Sequence, residues 1–146
     1  MNDVLRLAVA DKKAALRLIR SNAAQWQIDP DRIGMFGTSA GGGVAFGTMM
    51  PDEEGAAPDF IIPNFGPALQ DIVVPQDAPP LFLITEAWHV PVTDGLVALF
   101  QMWIAQRENV ELHVYDVASF TMTPDLWGKR LIAWMKEREL LNNKAE

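Results

Sequence analysis

The chain has 146 residues, 49% apolar and 21% charged, which suits one ordinary globular domain with a hydrophobic core. Its net charge of -7 argues against a nucleic-acid surface, and no apolar run approaches the roughly 18–20 residues that cross a bilayer. The absence of cysteine excludes disulfides, thiolate metal sites and a cysteine nucleophile.

The first element is a helix. Asp11 is a plausible N-cap for Lys12 to Arg20, with apolar residues at Ala15, Leu16, Ile19, Ala23 and Trp26, and Val4, Leu5, Ala8 and Val9 extend the pattern backwards. Met1 to Ala10 contains Asp3 and Arg6 and lacks a signal-peptide architecture, so the default expectation is cytoplasmic. Asp29-Pro30-Asp31 stops the helix, because proline has no N–H and drives the preceding residue out of the α region.

Arg32 to Phe36 reads as a short apolar strand, followed by the small-residue cluster Gly37 to Gly43 and a helix over Val44 to Met50. Pro51 to Gly55 is a loop. Asp59 to Phe65 is a second strand with Pro63 near its end, and a Pro-rich connection runs from Gly66 to Pro80. Leu81 to Thr85 is a third strand of the continuously apolar kind that is buried on both faces. A helix from about Thr93 to Arg107 carries Leu96, Leu99, Phe100 and Trp103 on one side. Val110 to Asp116 is a fourth strand. A last helix from about Pro124 to Leu141 buries Leu126, Leu131, Trp134 and Met135, with Lys129, Arg130, Lys136 and Arg138 on a solvated face. Trp26 and Trp127 are expected at helix ends, and Trp88 in a loop, lining a cleft or covering a sheet edge. There is no internal repeat or domain boundary. Residues 1–146 form one α/β domain, a three-layer α/β/α sandwich with a small parallel sheet of about four strands.

Gly37-Thr38-Ser39-Ala40-Gly41 matches G-x-S-x-G between a strand and a helix, the context in which that pattern makes a nucleophile elbow. In such a turn Ser39 takes a strained backbone conformation, and side chains at Gly37 and Gly41 collide with their surroundings. The turn projects the serine Oγ at the C-terminal end of the sheet and aims the Ala40 N–H where an oxyanion forms. The competing reading is a glycine-rich turn with an incidental serine.

Ser21-Asn22-Ala23-Ala24-Gln25-Trp26, Ile28-Asp29-Pro30-Asp31-Arg32-Ile33-Gly34 and Gly37-Thr38-Ser39-Ala40-Gly41-Gly42 resemble the approach to the elbow in α/β-hydrolase esterases, in the acetylxylan-esterase and feruloyl-esterase-like branch. Ala78-Pro79-Pro80-Leu81-Phe82-Leu83, Val90-Pro91-Val92, Val110 to Tyr115 and Leu126-Trp127 through Trp134 fit the same branch, so the likeness runs nearly the length of the chain. The resemblance implies an ester hydrolase with Ser39 as nucleophile, a small ester as substrate and no cofactor. It also implies that the four strands correspond to the last four of a usual eight. The usual upstream strands, with the loop donating the second oxyanion hydrogen bond, have no counterpart here: the chain resembles a truncated α/β-hydrolase.

The resemblance breaks at the two groups that would activate the serine. The family's aspartate follows the third strand, where this chain reads Glu86-Ala87-Trp88-His89-Val90, with Ala87 or its neighbour at the acid's place. The family's histidine follows the fourth strand, where Phe120 stands instead. A serine hydroxyl needs a base, and only two histidines remain. His113 lies inside the fourth strand and reads as structural. His89 follows the third strand at the same end of the sheet as Ser39, so a relocated Ser39–His89 dyad oriented by Glu86 or Asp94 is one arrangement; a solvated loop histidine is the other. A metal held by His89, Glu86, Asp94 and Asp116 is a third expectation, with no recognised ligand spacing behind it.

Two functions follow: an esterase-type hydrolase acting through Ser39, or a catalytically inactive or engineered fragment that self-associates. The strand before the elbow is internal in the family and an edge here, which predicts a homodimer or higher homo-oligomer.

Overall fold

The computed structural model describes residues 3–50, 55–66, 72–118 and 121–141. The expected loop at 51–54, and Ser119 and Phe120, lie outside them. In chain order the elements are α1 (Asp3–Ser21), α2 (Ala23–Trp26), β1 (Gly34–Thr38), α3 (Ala40–Thr48), β2 (Phe60–Asn64), β3 (Leu81–Glu86), α4 (Val90–Ala105), β4 (Val110–Tyr115) and α5 (Pro124–Glu137). The four strands form one parallel sheet in the order β1-β2-β3-β4. Each crossover carries its chain back along the sheet, and the helices cover both faces.

Side-chain alternation divides the core into two layers. Ile61, Leu81 and Leu83 point toward α3 and α4 and pack with Phe46, Leu96, Leu99 and Trp103. Phe60, Ile62, Phe82 and Ile84 point the other way, onto Trp127, Leu131 and Trp134 of α5. β3 is buried at all six positions, the pattern of a strand sandwiched between layers. Trp103 and Trp134 are fully enclosed, and each large apolar side chain so placed stabilises the fold by about 1.5–3 kcal/mol.

Several boundaries differ from the sequence reading. Asp11 is not an N-cap: α1 begins at Asp3, and Asp11 is exposed within it. Val9 extends the buried stripe of Lys13 and Leu16 by one turn, resting against Gly47 of α3. The first strand starts two residues later than expected. Arg32 is held in a turn, its N–H on the Asp29 carbonyl, and the Asp59 carboxylate receives the Ile33 N–H at 2.7 Å. Arg20 grips that carboxylate from α1 at 2.7 Å, tying the helix to the base of the sheet. α3 begins at Ala40, inside the glycine cluster, because Gly42 lets the helix start against the neighbouring chain.

α4 begins at Val90 rather than near Thr93, since Pro91 suits the first helical turn. α5 ends at Glu137, where Glu139 turns left-handed (φ 56°) and the chain folds back through the Leu140 N–H to the Met135 carbonyl. On α5 the sequence reading misplaces one residue: Leu126 is 43% exposed, and Trp127 takes the buried position, stacked on Phe36 of β1 with ring centroids 6.0 Å apart. Trp26, at the end of α2, is also largely exposed.

Candidate active site

Ser39 is the single residue between β1 and α3. Its backbone sits at φ 53° and ψ -127°, a region that L residues avoid and that costs about 1–3 kcal/mol to hold. Three contacts hold it. The Ser39 N–H continues the sheet ladder to the Asn64 carbonyl at 3.1 Å. The Ser39 carbonyl accepts the Gly42 N–H at 2.8 Å. The Asn64 amide reaches the Thr38 hydroxyl at 3.5 Å. Ser39 is exposed and its side chain makes no capping bond to α3, so its hydroxyl stands at the C-terminal end of the sheet. Ala40 opens α3, its N–H at the positive end of the helix.

The glycines around the elbow have unequal reasons to be there. A Cβ on Gly37 would collide with the Gly41 carbonyl. Gly41 itself has open space where a side chain would go, so the collision expected at that position does not occur within the described residues. The crowded partner is Gly42: its Cβ would lie 2.6 Å from the Gly66 Cα. Gly66 also borders the elbow, since a side chain there would come 3.3 Å from the Ser39 carbonyl oxygen. The pairing of Gly42 with Gly66 escapes a reading confined to the G-x-S-x-G pattern, although a glycine directly after the second strand was visible.

His89 immediately precedes α4 and caps it through its backbone, its carbonyl receiving the Val92 and Thr93 N–H groups at 3.0 and 3.1 Å. The Thr93 hydroxyl binds the Glu86 carbonyl at 2.6 Å and lies 3.2 Å from the Thr85 hydroxyl, pinning the start of α4 to the end of β3. The His89 ring is half-buried and meets Phe65 edge to face, with centroids 4.7 Å apart. Phe65 and Gly66 follow β2 directly, so a short segment connects the two candidates: Gly66 touches the elbow, Phe65 touches His89. Among the described residues no hydrogen bond joins the Ser39 hydroxyl to His89, Glu86 or Asp94.

Glu86 ends β3 with its side chain buried, 2% exposed, and by strand alternation on the α5 face. Asp94 is exposed on α4. The metal arrangement of His89, Glu86, Asp94 and Asp116 is not formed: no group of three or more such ligands gathers among the described residues. Asp116 instead accepts the Trp88 indole N–H at 2.5 Å, which ties the β3–α4 loop to the end of β4. Trp88 is otherwise 70% exposed.

The strongest charge cluster lies away from the elbow, near the start of β4. Arg130 clasps Glu111 through two nitrogens at 2.6 Å and Glu137 at 2.7 and 2.9 Å. The Arg130 hydrogen bonds hold the Glu111 carboxyl below the usual carboxylate range, against the opposing effect of burial. They lower Glu137 as well and raise the Arg130 guanidinium. Burial, then the Glu111 charge, pushes Tyr115 up. His113 sits 2.6 Å from Glu111 and 4.9 Å, centroid to centroid, from Phe82, the structural role expected of it. Arg130 therefore belongs to a network and not to a merely solvated face.

A parallel sheet between helical layers, with a strained serine between strand and helix, defines an α/β-hydrolase-fold chain. Residues 3–56 match the BD-FAE family model, an α/β-hydrolase-type esterase domain, over the first helix, the first strand and the turn at Ser39. The chain is similar to an acetyl ester-xyloside bifunctional hydrolase from Caldicellulosiruptor lactoaceticus, with 21% identity and a TM-score of 0.74 over 92% of this chain and 66% of that one. A sugar hydrolase from Lactococcus lactis superposes with a TM-score of 0.77 and 17% identity over 97% of this chain and 73% of that one. An α/β-hydrolase enzyme from a Medee basin deep-sea metagenome library gives 0.72 and 17% over 88% of this chain. The chain spans 63% of that enzyme's length, so roughly a third of the neighbour's fold has no counterpart here. No functionally curated protein matches the sequence. Among the described residues no helix is long and apolar enough to cross a membrane.

Proposed function

We propose that this chain hydrolyses small carboxylic esters through Ser39. One observation carries the reading: a non-glycine residue held at φ 53° and ψ -127° between strand and helix, exposed, with Gly37 behind it. Such a conformation costs stability, and exposing a hydroxyl over the end of a sheet gives the cost a purpose.

In this reading the Ser39 Oγ attacks the ester carbonyl carbon while His89 takes its proton. The Ala40 N–H donates to the oxyanion, and the carbonyl re-forms as the alcohol leaves with the proton from His89. Water then repeats the sequence on the acyl-serine, releasing acid and regenerating Ser39. Catalytic hydrogen bonds are commonly long in unliganded hydrolytic sites and tighten when substrate binds.

The test is hydrolysis of p-nitrophenyl acetate by wild type, Ser39→Ala and His89→Ala. Loss of turnover in both variants is the expected result; turnover that survives Ser39→Ala overturns the nucleophile.

A second reading takes the chain as a non-catalytic, self-associating α/β-hydrolase domain. It is favoured by β1, which pairs only with β2 among the described residues and carries Phe36 at 52% exposure. An unpaired apolar strand edge favours a homodimer or higher homo-oligomer. Sedimentation showing only monomer at micromolar concentration excludes it, and Ser39-dependent turnover excludes its non-catalytic half.

A further inference from the structure

We propose that Phe65 is a positioning residue for the hydrolytic site, holding the His89 imidazole at the elbow's end of the sheet. The inference rests on the reading of Ser39 and His89 as nucleophile and base.

The backbone is the first observation. Phe65 lies at φ 51°, a left-handed conformation that glycine adopts freely and a bulky aromatic residue does not. Its N–H is used, donating to the Ile84 carbonyl at 2.7 Å, so the strained turn is locked to the central part of the sheet. Evidently the side chain, not the backbone, calls for a residue other than glycine at this position.

The surroundings of that side chain are the second observation. Phe65 is buried, only 8% exposed. Its ring meets the His89 ring edge to face at 4.7 Å and an interplanar angle of 75°. This geometry orients an imidazole without consuming either of its nitrogens.

Connectivity is the third. Asn64 receives the Ser39 N–H, and Gly66 abuts Gly42 and the Ser39 carbonyl. Phe65 stands between them. The two residues that touch the elbow therefore flank the one whose ring meets His89, so nucleophile and base are referenced to one short segment. A merely space-filling phenylalanine has no need of a left-handed backbone, nor of a place between two residues that both touch the elbow.

The test compares Phe65→Leu, Phe65→Gly and Phe65→Tyr in the full chain. Phe65→Leu keeps an apolar side chain and Phe65→Gly removes the backbone strain, so at least one variant folds. Both are expected to lower kcat for p-nitrophenyl acetate by about tenfold or more with little change in KM, the signature of a misplaced base. Phe65→Tyr, which keeps the ring, is expected to restore most of kcat. The chemical shifts of the His89 ring protons, which the Phe65 ring current moves, are expected in NMR spectra to change in Phe65→Leu and to stay near wild type in Phe65→Tyr. That second readout needs no turnover. If the wild type shows no Ser39-dependent hydrolysis, the functional reading fails, while the His89 ring-proton shifts still decide whether Phe65 sets the His89 environment. Unchanged kcat together with unchanged His89 ring-proton shifts in Phe65→Leu overturns the proposal.

Discussion

Gly42 and Gly66 meet backbone against backbone: a Cβ on either would stand 2.6 Å from the other's Cα. The contact lets α3 start directly after Ser39 while the turn after β2 closes beside it. Gly42→Ala or Gly66→Ala must push these segments apart, an overpacking that costs about 1–3 kcal/mol. Gly41→Ala meets open space and replaces a residue of low helix propensity, so it is expected to be neutral or up to about 1 kcal/mol stabilising. Urea unfolding of the three variants checks the contrast, and equal midpoints for Gly41→Ala and Gly42→Ala contradict it.

Ser39→Gly separates stability from chemistry. Glycine takes φ 53° without steric strain, a relief of about 1–3 kcal/mol, partly offset by the larger entropy that glycine loses on folding. The variant is expected to melt higher than wild type and to have no ester turnover. A lower melting temperature would show that the serine side chain contributes contacts outweighing its backbone strain.

Trp134 supports the α5 layer. It is fully buried, and its ring centroid lies 5.4 Å from Phe82 and 6.4 Å from Phe60. Trp134→Ala is expected to cost about 3–5 kcal/mol, a large share of the roughly 5–15 kcal/mol that holds a typical domain together. Equilibrium denaturation measures this loss. A cost below about 1 kcal/mol is incompatible with the packing described.

The Arg130 cluster makes stability depend on pH with a definite sign. Glu111 has a lowered carboxyl pKa in the folded state, chiefly through its hydrogen bonds to Arg130. Its stabilising contribution is therefore fully present above the ordinary, unfolded carboxylate value and is lost as pH falls through the lowered folded value. Arg130→Ala is expected to melt below wild type at neutral pH, with the difference shrinking as Glu111 takes up its proton. Melting curves recorded between pH 7 and about pH 3 read this directly; a difference that grows toward acid reverses the sign and sinks the assignment.

Much of the fold was legible in the residue pattern because period and punctuation agree there. Leu81 to Ile84 is continuously apolar and follows Pro79-Pro80, and it lies in the fully buried β3. Boundaries were less legible. Asp11 is a good cap by type, yet α1 runs straight through it because Val9 finds Gly47 to pack on. His89 lies in the loop after β3 as its position suggested, but that loop is shorter than expected because α4 begins at Val90, where Pro91 favours the first turn of a helix. Phe65 gave no motif at all, since neither its left-handed backbone nor its neighbour His89, 24 residues distant along the chain, follows from local sequence.

The sequence by itself determined the alternation of strands and helices and the glycine-flanked turn at Ser39, because each depends on residues within a few positions of one another. Only the tertiary structure decided which glycine is crowded, that Asp116 braces Trp88 instead of joining a metal site, and that a buried phenylalanine connects the elbow region to His89. Those contacts join separate strands at one end of a parallel sheet, and no spacing along the chain encodes the distance between them.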